Sequence, residues 1–141
     1  MKNSCVRYFY AGLVFTFVIS LLGCYAAREK EYYADMSNFI TEEATVDNII
    51  YNEEENYIVL WLSGIDPSYQ SSAFIIRWEN VTLAIDNGFF DKVRVGDTIT
   101  YMSAPGYFGD GYFMPIVGIS TKDSEILDAE TGYQNLMNSY K

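Results

Sequence analysis

The sequence predicts a mainly β domain, a small five-stranded barrel with a short helix between strands three and four and another helix at the C-terminus. Three observations predict it. Beyond residue 36 the apolar residues fall in short runs rich in Val, Ile, Tyr, Phe and Trp, the composition of strands. Polar or glycine-bearing turns separate these runs. The spacing of apolar residues becomes helical in only two places, after Trp78 and near the C-terminus.

The first strand is Phe39 to Tyr51, which alternates around Ala44, Val46 and Asn48 and ends in Ile49-Ile50-Tyr51. Asn52-Glu53-Glu54-Glu55-Asn56 is a polar hairpin turn. Tyr57 to Ile65 is the second strand, an almost unbroken apolar run that Asp66-Pro67-Ser68 ends. Phe74 to Trp78 is the third. Glu79 to Asn87 places Val81, Leu83 and Ala84 on one side of a short helix, with Asn80 as its N-cap and Gly88 as its stop. A strand over Val81 to Ile85 is the alternative.

Val95-Gly96-Asp97 is a tight turn that feeds the fourth strand, Thr98 to Ser103. Ala104 to Gly111 is a loop. Tyr112 to Ser120 is the fifth strand, with Pro115 marking an edge or a bulge. Asp128 to Tyr140 is a helix whose Tyr133, Leu136, Met137 and Tyr140 form one stripe. Three strands, a helix and two strands is the order of an OB-fold. An SH3-like or open β-barrel is the competing architecture.

The first residues carry Lys2 and Arg7 and no acid, and an apolar run follows from Tyr8 to Leu22. That is the layout of a secretory signal. The run is 15 residues, short for a spanning helix of about 20. It closes on Leu21-Leu22-Gly23-Cys24, which resembles the lipobox of bacterial lipoproteins. The resemblance implies cleavage before Cys24, with Leu21 and Gly23 as recognition residues, and lipidation of the Cys24 sulfur. It divides the chain into a signal peptide (1–23), a lipidated tether (24–36) and the β-domain with its C-terminal helix (37–141). The expected location is the extracytoplasmic face of a cell membrane, held by acyl chains. Two or more such chains anchor stably without a basic patch.

The C-terminal third is similar to small lipoproteins of Gram-positive bacteria. The residues that carry this likeness are Asn87-Gly88-Phe89-Phe90, Val95-Gly96-Asp97, the stretch Gly109 to Ile119, and Thr131 to Leu136. It implies a fold rather than a role.

Cleavage before Cys24 would leave 118 of the 141 residues, the size of one domain. All 19 acids would remain, against seven of the nine basic residues, a charge of −12. Such a charge repels nucleic acid and anionic headgroups. With Cys5 removed and Cys24 lipidated, no thiol is left for a disulfide or for catalysis. The chain has no histidine, which excludes Ser-His-Asp and Cys-His catalysis and imidazole zinc sites.

The best candidate for binding is the glycine-aromatic loop Ala104 to Phe113, which repeats Gly-Tyr-Phe around Gly109-Asp110. Tyr107, Phe108, Asp110, Tyr112 and Phe113 are its candidate ligand residues, since the loop between strands four and five of an OB-fold contacts ligands. Covering one end of the barrel is the structural alternative. Glu53-Glu54-Glu55 lacks the alternation and central glycine of a calcium loop and reads as a solvated turn. Asp91, Asp97 and Asp110 could form an acidic group only if their loops met.

The expectation is a non-enzymatic binding module for a protein or peptide, with no cofactor and no metal. An acidic binder of metal ions or of a cationic enzyme such as a lysozyme is the alternative, and a small hydrolase the remote third.

Overall fold

The computed structural model describes residues 27–69, 71–106 and 113–141. Leu21, Gly23, Cys24, Tyr107, Phe108, Asp110 and Tyr112 lie outside them.

Strand β1 (Ile40–Asn52) is long because it serves two partners. Its first half pairs antiparallel with β4 (Thr98–Ser103), from Ile40 opposite Ser103 to Thr45 opposite Thr98. Its second half pairs antiparallel with β2 (Tyr57–Ser63), ending with Asn52 opposite Tyr57. The changeover is a bulge at Asp47, whose carboxylate accepts the Ser63 hydroxyl at 2.7 Å. A bulge adds one residue and bends the strand, so one strand can turn from one partner to the next.

Strand β3 (Ala73–Arg77) pairs antiparallel with β2, and β5 (Met114–Ser120) pairs antiparallel with β4. Two parallel pairs, Phe74 with Met114 and Ile75 with Pro115, join β3 to β5 and close a hydrogen-bonded ring. Pro115 thus sits where the ring closes on least pairing, in keeping with its missing N–H. The protein is mainly β, with the three-strand, helix, two-strand order the sequence predicts. A short sixth strand, β6 (Glu125–Leu127), extends the sheet beyond β5.

Alternate side chains fill the ring. Ala44, Val46, Ile58, Leu60, Phe74, Ile76, Ile99, Tyr101 and Ile116 are all buried in one cluster. Helix α2 (Glu79–Asp86) adds Val81 and Ala84 to it, and the single turn α3 (Phe89–Lys92) adds Phe89. Gly88 between them has φ 85°, a conformation that ends α2 and favours glycine. Asn80 is not the N-cap of α2; Trp78 holds that place without a side-chain cap. Asn80 is buried instead, and binds helix α4 (Ala129–Asn138) by donating to the Gly132 carbonyl and accepting from Asn135, each at 2.9 Å. The Val95-Gly96-Asp97 turn docks on β1: the Gly96 N–H donates to the Val46 carbonyl at 2.7 Å, with Gly96 at φ 94°.

Residues 27–34 form a helix, α1. The sequence reads this stretch as tether; in the structure its Tyr32 and Tyr33 pack onto the domain. Tyr33 is buried with Phe39, Ala104, Val117 and Leu136 in a second core between α1, α4 and the outer side of β5. The Tyr133 hydroxyl donates to the Tyr33 carbonyl at 3.1 Å and lies 3.2 Å from that of Ala34, which satisfies the open end of α1. Asp128 caps α4 by accepting from the Thr131 N–H at 2.8 Å. No helix among the described residues is long and apolar enough to cross a membrane.

Candidate functional site

The register of β1, β2 and β3 aligns three rows of residues on the outer side of the sheet. Asn52, Tyr57 and Arg77 are opposite one another; so are Ile50, Val59 and Ile75; and so are Asn48, Trp61 and Ala73. The bulge at Asp47 makes this possible. It reverses the parity of β1, so that Asn48 and Ile50 face outward while Ile49 packs against the core. An outward face of a small sheet is ordinarily polar. Here Val59, Ala73 and Ile75 form a separate buried cluster with Tyr57 against it, whereas Ile50 and Trp61 remain 46% and 41% exposed.

One end of this face opens into a groove of about 360 Å³. Ile75 lines it together with Tyr57, Arg77, Trp78 and Phe113, and Glu55 and Asn56 of the hairpin turn form its rim. Of the candidate loop residues, Phe113 alone is among the described residues, and it lines this groove. Glu53 and Glu54 stay exposed in the turn, where the Asn52 side chain accepts the Glu55 N–H at 2.9 Å.

Asp110 lies outside the described residues, and among the described residues the other acids do not assemble. Asp97 is engaged in its own turn, accepting the Arg94 N–H at 2.9 Å, and Asp91 lies in α3. No group of three or more potential metal-ligating side chains occurs among the described residues.

Trp78 is the unusual residue of the groove. Its backbone has φ 54° and ψ −132°, and Asn56 has φ 52°. These are the two non-glycine residues at positive φ among the described residues. They are joined: the Asn56 amide donates to the Trp78 carbonyl at 3.2 Å. Trp78 is 40% exposed, and the Arg77 guanidinium lies over its ring at 5.9 Å. Because a side chain at such a φ is strained by about 1–2 kcal/mol, Trp78→Gly is expected to be more stable than Trp78→Ala by about 1 kcal/mol in urea unfolding. Equal stabilities would show that the strain is absent.

Beside the groove, Glu29, Tyr33, Arg77 and Tyr140 meet between α1, β3 and α4. Burial foremost, and then the Glu29 carboxylate, raise the Tyr33 and Tyr140 hydroxyls far above the usual phenol range, and the Arg77 charge offsets part of this. Neither phenol can serve as a base near neutral pH.

Tyr57, Trp61, Arg77 and Trp78 are not singled out by the sequence reading. The signal was present in strands two and three, where alternate residues are apolar on both sides. Comparison of the chain with protein-family models, with curated proteins and with solved structures finds no match in any of the three.

Proposed function

We propose that this chain is a lipid-anchored, extracytoplasmic binding module without catalytic activity, which takes an extended segment of a protein or peptide across the outer face of β1, β2 and β3. The observation that carries the reading is the triple row of opposed residues on that face, with Tyr57, Trp61, Arg77 and Trp78 at its margins. Trp, Tyr and Arg are the residues that dominate protein interfaces. Here they stay open around a centre, Val59, Ala73 and Ile75, that is already buried, so the segment would touch these margins. Strands two and three are the ligand face of OB-folds. The Leu21 to Cys24 pattern supports the anchor. With α1 helical from residue 27, the chain from Cys24 to α1 can span at most about 10 Å, so the face would work close to the membrane surface. The absence of histidine supports binding rather than catalysis.

Selection of a random peptide library on the full chain tests this. Selected peptides are expected to lose about tenfold or more in affinity to Tyr57→Ser and to Trp61→Ser, the loss of one well-packed aromatic contact each. Peptides indifferent to both changes would remove the face as the site. A second reading, capture of a metal ion or of a cationic enzyme such as a lysozyme, is favoured by the charge of −12 that processing would leave.

A further inference from the structure

Trp78 lines more than one depression. One is the groove with Glu55 on its rim. Another, of about 550 Å³, is lined by Glu79, Asn135, Asn138 and Ser139 together with Trp78 itself. We propose that Trp78 anchors a cationic side chain, arginine or lysine, of an extended peptide laid across the face of β1, β2 and β3; this rests on the reading of that face as a peptide site.

Four observations select this occupant. Trp78 is exposed, although an indole of its size is ordinarily drawn into a core. Of the aromatic side chains, indole holds a cation over its face most strongly. The Arg77 guanidinium already occupies such a position at 5.9 Å, an internal instance of the chemistry. Finally, the cavities around the ring carry Glu29, Glu55 and Glu79 against Arg77 alone, on a chain whose net charge is −10. Like charge would turn away an acidic segment, and opposite charge speeds the arrival of a basic one.

The test uses the full chain in detergent with both of its tryptophans, Trp61 and Trp78, intact, and Trp78→Ala as the control that assigns the fluorescence signal. Three peptides of equal length alternate valine with arginine, with citrulline (the uncharged isostere) or with glutamate. The arginine peptide is expected to change the Trp78 fluorescence saturably. It should bind about tenfold more tightly than the citrulline peptide, the size of one cation–π contact, and more tightly still than the glutamate peptide. Calorimetry is expected to show about a tenfold loss in Trp78→Ala and a smaller loss in Glu55→Gln or Glu79→Gln that fades as salt is raised. Equal affinity for the citrulline peptide overturns the cationic assignment and leaves the peptide face standing. Failure of all three overturns the assignment too, and the library selection then decides the fate of the face separately. A fluorescence change that follows protein concentration without peptide would point to a second copy of the chain and overturn the proposal.

Discussion

Gly132→Ala is expected to lower the unfolding free energy by about 2 kcal/mol, because a β-carbon at this position would land on the Val117 carbonyl oxygen of β5. The glycine is what lets α4 lie directly on the strand. Gly118 of β5 has the matching role, since a β-carbon there would come within 2.8 Å of the Ala129 Cβ. An alanine in mid-helix gains about 1 kcal/mol of propensity over glycine, while forcing atoms into a packed contact costs about 1–3 kcal/mol and more when the obstacle is backbone. The collision wins because the obstacle cannot rotate away. Relief requires α4 to move outward. That movement would pull the Gly132 carbonyl and Asn135 off Asn80, which binds both at 2.9 Å. It would also loosen the cluster around Tyr33 and Leu136. Gln134→Ala, an exposed position on the same helix, should change stability by less than about 0.5 kcal/mol. Urea unfolding of the two variants checks this, and a Gly132→Ala protein as stable as wild type would show that α4 is not tightly seated.

Much of the β architecture is readable because its signals are local. Strand β4 is bounded by the Val95-Gly96-Asp97 turn and alternates cleanly, so its limits are those the sequence predicts. The remaining elements lack such signals. Strand β6 has three residues and no measurable period. Helix α3 is a single turn. Helix α1 carries charges on most sides, and the only hint of its docking is the pair Tyr32-Tyr33. Asp47 explains a subtler failure. Simple alternation from Ala44 and Val46 puts Asn48 and Ile50 inside, but the bulge turns both outward. With Ile49, Ile50 and Tyr51 all apolar, composition cannot reveal the change of parity. The same ambiguity hid most of the candidate site. Tyr57 to Leu62 and Ala73 to Ile76 are apolar on both faces, so the run reads as a buried strand and not as a strand with a second, outward surface. Phe113 was legible because glycine and aromatic residues alternate around it. Trp78 was not, since neither its positive φ nor its hydrogen bond from Asn56, 22 residues away, leaves a local signal.

Removing the carboxylate of Glu42 should have the second large effect. Glu42 shares the inward parity of Ala44 and Val46 on β1 and lies opposite Tyr101 of β4. Its two oxygens accept from two phenols, Tyr69 at 2.9 Å and Tyr101 at 3.2 Å. Tyr101 is buried, with its ring edge-on to Phe74 at 4.9 Å. Glu42→Leu is expected to cost about 2 kcal/mol, because the buried Tyr101 hydroxyl loses its acceptor. Glu42→Gln keeps one acceptor oxygen and should cost about 1 kcal/mol. The pH dependence separates charge from packing. Burial first, and then Glu42, push the Tyr69 hydroxyl up to about 12 from 10.0 and raise Tyr101 further. A phenol whose folded pKa is raised stabilises the fold while neutral. That stability is complete below the unfolded value of 10.0 and is lost as the pH rises through the folded one. Wild type should therefore weaken steeply above pH 10, by up to about 1.4 kcal/mol per pH unit for each such tyrosine. In Glu42→Gln the folded pKa values fall back toward 10.0, so its alkaline loss is smaller. The gap between wild type and Glu42→Gln should narrow between about pH 7 and about pH 11 in denaturant titrations. A gap that stays constant would mean that the carboxylate charge does not act on the two phenols.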